Sequence, residues 1–154
     1  MTSSQVCVDA GISLKRVFLD EANGDLARDL WAEWHGRETN VIAPTLWAYE
    51  VTSVIRNKVH RGRLAPELEG DALLAVHQLP LKLMAPEGLH RRASEIARHF
   101  RQPAAYDAHY LALAQMHDCT FWTADERLFN TVRQEFDWVH WLGERRSADQ
   151  STQN

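Results

Sequence analysis

Apolar and polar positions along the chain switch between two periods, and the switches mark out its elements. Short β-branched or aromatic runs bounded by turn residues predict strands at Gln5 to Val8, Val41-Ile42, Leu81 to Met84, Phe121-Trp122 and Trp138 to Trp141. Between them, apolar residues recur at three- and four-residue spacing, which predicts helices with one buried face. These are Ile12 to Leu19, about Asp25 to His35, Pro44 to Arg61, Pro66 to about Gln78, Pro86 to Phe100, Pro103 to about His117, and one behind Asp125 to about Gln134. The punctuation agrees. Asn23-Gly24 breaks the chain ahead of the second helix, Gly62 closes the long third one, and Pro44, Pro66, Pro86 and Pro103 open helices at the position where a missing N–H costs nothing.

Strand and helix alternate from end to end, with no internal repeat and no low-complexity linker. That order predicts an α/β domain of three layers, a mainly parallel sheet of four to five strands flanked by helices. The domain is expected to span residues 1–143, and the polar stretch 144–154 to be a disordered C-terminal tail.

Composition narrows the class. A chain of 154 residues fits one domain and buries roughly two thirds of its unfolded surface. Seventeen basic against 21 acidic residues leave a net charge of −4, so the field of the whole molecule does not gather a polyanion. Any such ligand has to be held by local basic patches or by metal. No apolar run reaches membrane-spanning length, and the apolar stretch Val6 to Val8 precedes Lys15 and Arg16, the reverse of a signal peptide. Cys7 and Cys119 lie far apart without metal-ligand spacing, as expected of buried free thiols in a reducing cytoplasm.

The candidate chemistry lies in four acids, Asp9, Glu50, Asp107 and Asp125. Ligands of parallel α/β sheets bind beyond the carboxyl ends of the strands. Asp9 directly follows the first strand and Asp125 follows the fourth by two residues. Glu50 and Asp107 fall in the first two turns of helices that start at the same edge. Asp107 is followed at helical spacing by Tyr110, Leu111 and Ala114, and Glu50 by Val54, so both are expected to face inward. Taken singly, Asp9 and Asp125 also fit as helix N-caps, and Glu50 and Asp107 as complements to helix dipoles. Together they form a costly cluster, because like charges raise one another's pKa, whereas a hard divalent cation reverses that penalty and supplies a nucleophilic water. The spacing therefore points to a metal-dependent phosphodiesterase. Oxygen-only ligands suit Mg²⁺ or Mn²⁺, with Asp9 and Asp107 as the first choice of direct ligands.

Phosphate contacts are expected from the basic run Arg56, Lys58, His60, Arg61 and Arg63, or from Arg91, Arg92, Arg98 and Arg101. Cations at a helix C-terminus also favour its dipole without any ligand. The histidines show no zinc-binding spacing and read as ordinary helix residues. Trp31, Trp34, Trp47 and Tyr49 fit core packing, or an interface where exposed.

The wording around the acids resembles a known family. VCVDAGISLKRVF, PTLWAYEVTSVIRN, AAYDAHYLALAQMHDC and FWTADERL resemble, in order and spacing, the four blocks of PIN-domain proteins, especially the VapC-like toxin ribonucleases. The resemblance implies a PIN fold, Mg²⁺ or Mn²⁺ at the carboxylates, and endonucleolytic cleavage of RNA. It places Asp9, Glu50, Asp107 and Asp125 on the family's acidic positions and Thr123 on its accompanying hydroxyl. It also implies a cognate antitoxin protein and a homodimer. Ser53 is expected to support the site with Thr123; it stands where an Asn is frequent, and Gly11 where a Ser or Thr is frequent, so supporting hydrogen bonds from these positions differ from the family's pattern.

Rival chemistries fare worse. Phosphotransfer hydrolases with Asp-x-Asp after the first strand need a second acid at Gly11, and a signalling receiver domain needs adjacent acids there. Gly-rich nucleotide loops are absent. The retained alternative is a PIN-like module that binds RNA or a protein without cutting.

Overall fold

The computed structural model describes residues 4–152. The strands are β1 (Gln5–Val8), β2 (Asn40–Pro44), β3 (Lys82–Met84), β4 (Thr120–Thr123) and β5 (Val139–Trp141). All neighbours run parallel, in the order β3-β2-β1-β4-β5. Helices α1 (Ala10–Val17) and α2 (Gly24–Gly36) join β1 to β2. Helix α3 (Leu46–His60), a 3-10 turn (Pro66–Leu68) and α4 (Glu69–His77) lead to β3. After β3 come α5 (Leu89–His99) and α6 (Tyr106–Met116), then α7 (Glu126–Val132) between β4 and β5, and last α8 (Glu144–Ser151).

The alternation of side chains along β1 divides the interior in two. Val6 and Val8 face one core with Ile12, Leu26, Leu30, Trp31, Trp34 and Leu142, whereas Cys7 faces the other with Ile42, Trp47, Val51, Leu111 and Phe121. A parallel sheet buried on both faces is what the short, nearly continuous apolar strands require. The three-layer expectation therefore holds, with five parallel strands.

Several boundaries move, for local reasons. Pro44 ends β2 instead of opening α3, which starts at Leu46. Pro86 and Pro103 likewise precede their helices, each by three residues, with Gly88 at φ +84° just before α5. Gly62 closes α3 with φ +71°, a left-handed turn that glycine adopts without a Cβ clash.

The expected disordered tail is the larger correction. Residues Glu144–Ser151 form α8, tied back to α2 by Arg145 to Glu33 (3.1 Å) and by Arg146 to both oxygens of Asp25 (2.8 and 3.0 Å). Ion pairs from two arginines supply what the segment's polar composition lacks in burial. Residues 153 and 154 of that stretch, and 1–3, lie outside the described residues. Among the described residues, no helix is long and apolar enough to cross a membrane.

Candidate active site

From β1 the chain proceeds to β2 and β3 on one side of the sheet and then crosses to β4 on the other. At that switch the connections leaving β1 and β4 diverge, opening a crevice beyond their carboxyl ends. A cleft of about 1000 Å³ lies there, and Asp9, Glu50, Asp107 and Asp125 all line it. Four residues from four elements thus reach one surface, as their spacing predicts.

Each is positioned differently. Asp9 is the N-cap of α1, with Oδ1 accepting from the Ile12 amide at 2.9 Å. Its Oδ2 accepts from Thr123 Oγ1 at 2.5 Å and from the Ala124 amide at 3.2 Å. Thr123 is wholly buried and in turn accepts from the Asp125 amide at 2.9 Å, so one hydroxyl links the turns after β1 and β4. Asp125 caps α7 through Oδ1, which accepts from Arg127 and Leu128. Glu50 accepts from the Tyr110 hydroxyl at 2.7 Å. Capping and site membership, weighed as alternatives from the sequence, coincide at Asp9 and Asp125.

The electrostatics follow from crowding without a neutralising cation. Burial, opposed by its three hydrogen bonds and helped by repulsion from Glu50, pushes Asp9 up to about 6. Burial and then Asp107 raise Glu50, against the Tyr110 hydrogen bond. Desolvation and then Asp125 raise Asp107. Repulsion thus couples neighbouring acids along the cleft from Asp9 to Asp125. Burial also drives Tyr110 far above its ordinary value, so its hydroxyl stays a donor to Glu50.

Two expectations need correction. Asp107 is exposed, one turn ahead of the buried run Tyr110 to Ala114, so it sits at the rim instead of facing inward. Ser53, expected to support the site, is exposed on α3 and does not line the cleft; Val54, one residue on, does. Gly11 has a structural reason: a Cβ there would meet the Ala124 Cβ at 2.8 Å and Asp9 Oδ1 at 3.4 Å. The space a serine would need is occupied by the turn after β4.

The basic run lies at the far end of α3, and two of its five residues are committed to acids. Arg56 pairs with Glu69 at 2.7 Å, and Lys58 pairs with Glu21 and covers the Phe18 ring. Arg61 and Arg63 are exposed. Lys15, which also bonds Glu21 (3.6 Å) and the Ala22 carbonyl (2.9 Å), lines the cleft with Glu21. Tyr110 is the functional residue that sequence reasoning missed as a partner of Glu50. Its signal was its place three residues after Asp107, on the same helix face.

The donor set is oxygen-only. Both Asp107 oxygens, Glu50 Oε2 and Asp125 Oδ2 accept no hydrogen bond from the described residues. That chemistry suits a hard cation. Among the described residues, however, no group of three His, Cys, Asp or Glu side chains stands close enough to enclose a metal ion. The acids share a cleft but are not gathered into a ready-made cage.

Comparison with known proteins agrees with the fold. The family model described as PIN domain matches residues 6–134. No curated protein matches the chain significantly. Among solved structures, the crystal structure of PAE2754 from Pyrobaculum aerophilum is similar, with a TM-score of 0.61 at 16% identity over 93% of this chain and 94% of that one. At that identity the likeness concerns the fold. The family match covers most of the chain, including all four acids, and on it the chain belongs to the PIN-domain family.

Proposed function

We propose that the cleft is the active site of a Mg²⁺- or Mn²⁺-dependent endoribonuclease, the toxin component of a type II toxin-antitoxin pair. The observation that carries the catalytic part is the convergence of Asp9, Glu50, Asp107 and Asp125 on one cleft at the switch point of the sheet, with three of the four held above their ordinary pKa by burial and by one another. That the described residues form no three-residue cage is compatible with Mg²⁺, which keeps several waters and is commonly held by one or two carboxylates plus substrate phosphate. Asp9 and Asp107 would hold the ion. When bound, it supplies a water of lowered pKa and positive charge for the phosphoryl oxygens.

The chain's own groups do the rest. Thr123 and the Ile12 and Ala124 amides fix the Asp9 carboxylate in one orientation. Glu50, oriented by Tyr110 and raised by burial, accepts the proton as a water oxygen attacks phosphorus and the bond to the leaving sugar oxygen breaks, that oxygen taking its proton from solvent. Asp125, fixed as a helix cap, keeps Oδ2 free to orient that water. The antitoxin partner and the homodimer rest on the family-like wording of the four blocks.

Cleavage of a mixed RNA pool in Mg²⁺, stopped by EDTA and lost in Asp107→Asn, is the expected result. No cleavage with either ion, or full activity in Asp107→Asn, would refute it. The second reading is a module that binds RNA without cutting, and RNA binding with no cleavage under any divalent ion would select it.

A further inference from the structure

Two tyrosines stand directly ahead of two cleft acids in sequence, Tyr49 before Glu50 in α3 and Tyr106 before Asp107 in α6. They are 74% and 66% exposed, the most exposed large apolar side chains described. Neither ring nor hydroxyl has a partner among the described residues. Both line a second pocket of about 290 Å³, walled by Pro44, Leu46, Ala85 and Leu89. Its size is at the small end of ligand pockets, room for one flat ring system and not for a partner's helix. Tyr106 also lines a groove shared with Asp107 and Asp125, so the apolar pocket and the acidic cleft meet at its ring.

The pocket has one polar wall. His109 Nδ1 lies 2.6 Å from the Ala105 carbonyl, which only accepts, so Nδ1 carries the hydrogen. His109 Nε2 lies 2.9 Å from His90 Nδ1 and, with both rings neutral, accepts from it. That order leaves His90 Nε2 as an acceptor for a ligand N–H. Electrostatic attraction, by contrast, is weak. The net charge is −4, and of the two cations that line the cleft Lys15 answers to Glu21, which leaves Arg127. A polyanionic substrate held by few free cations needs another source of affinity, and exposed aromatic faces supply it by stacking on bases.

We propose that Tyr49 and Tyr106 form a base-stacking subsite, in which an unstacked base of the RNA beside the scissile phosphate lodges in this pocket. Duplex RNA fails because its bases are already stacked and their faces covered. The inference rests on the ribonuclease reading of the neighbouring cleft.

Binding of a fluorescein-labelled single-stranded RNA and of its duplex to the full chain, followed by anisotropy in Ca²⁺, tests it, with cleavage in Mg²⁺ measured separately. Tyr49→Ala and Tyr106→Ala should each weaken single-strand binding about 10-fold, the scale of one stacked base. Tyr49→Phe and Tyr106→Phe should restore it, whereas leucine at either position should not, because an apolar side chain without a π face cannot stack. Equal affinity of wild type and both alanine variants would overturn the proposal and leave the rings as a protein-docking face. So would equal rescue by leucine, or equal binding of the duplex. Cleavage by wild type with tyrosine-independent binding sinks the subsite alone; tyrosine-dependent binding without cleavage sinks the catalytic reading alone.

Discussion

Replacing Asp9 by Asn in the metal-free protein should produce a stability difference that depends on pH. Asp9 titrates near 6 in the folded chain against 3.8 for the ordinary carboxyl. The two-unit gap makes the ionised group cost the native state about 3 kcal/mol at neutral pH. Because the folded pKa is raised, this cost is fully present above about pH 6 and vanishes as pH falls toward the unfolded value. Asparagine removes the cost but has one carbonyl oxygen where the carboxylate accepts from three donors. With that oxygen facing Thr123 and the Ala124 amide, the Ile12 amide loses its acceptor, at about 1–2 kcal/mol. The net expectation is a variant about 1 kcal/mol more stable than wild type near pH 7.5, roughly 2–4 °C in Tm, and of equal stability near about pH 5. Thermal melts of both proteins in EDTA at the two pH values measure it. Histidine titration is common to both and cancels in the difference. A variant less stable at the higher pH, or an advantage unchanged by pH, would refute the account of Asp9 as a buried, cation-starved carboxylate. Added Mg²⁺ should raise the Tm of wild type and leave the variant's nearly unmoved, since stabilisation follows from binding to the folded state.

Two further outcomes follow from the same turns. Thr123→Val keeps the shape of a buried side chain but removes its bonds to Asp9 and to the Asp125 amide; we expect about 2–3 kcal/mol of lost stability in urea denaturation, and a loss below half a kcal/mol would mean the hydroxyl is not a structural link. Gly11→Ser should cost about 1–3 kcal/mol from contact with Ala124, and Ala124→Gly in the same chain should recover most of it; additive losses in that double-mutant cycle would show that the two positions do not compete for space.

Much of the fold was legible because its signals are local. Gln5 to Val8 is a strand at the bounds its composition predicts, and Asp9 and Asp125 cap the helices they precede. Helix starts behind Pro44, Pro86 and Pro103 were placed too early, because proline marks where a helix is permitted and the tertiary contacts decide where it begins. Polar composition hid α8, whose arginines pair with acids more than a hundred residues back along the chain. The exposure of Asp107 was also hidden: its helical neighbours are buried, but it stands one turn before the sheet covers them.

By itself the sequence determined the alternation of strand and helix and the placing of acids at the carboxyl ends, since both depend on spacing within a few residues. Only the tertiary structure decided the strand order, the Tyr110–Glu50 bond, the contact that requires glycine at position 11, and the meeting of Tyr49 with Tyr106 at one pocket. These join positions dozens of residues apart, and no local period carries information about which distant segments will pack together.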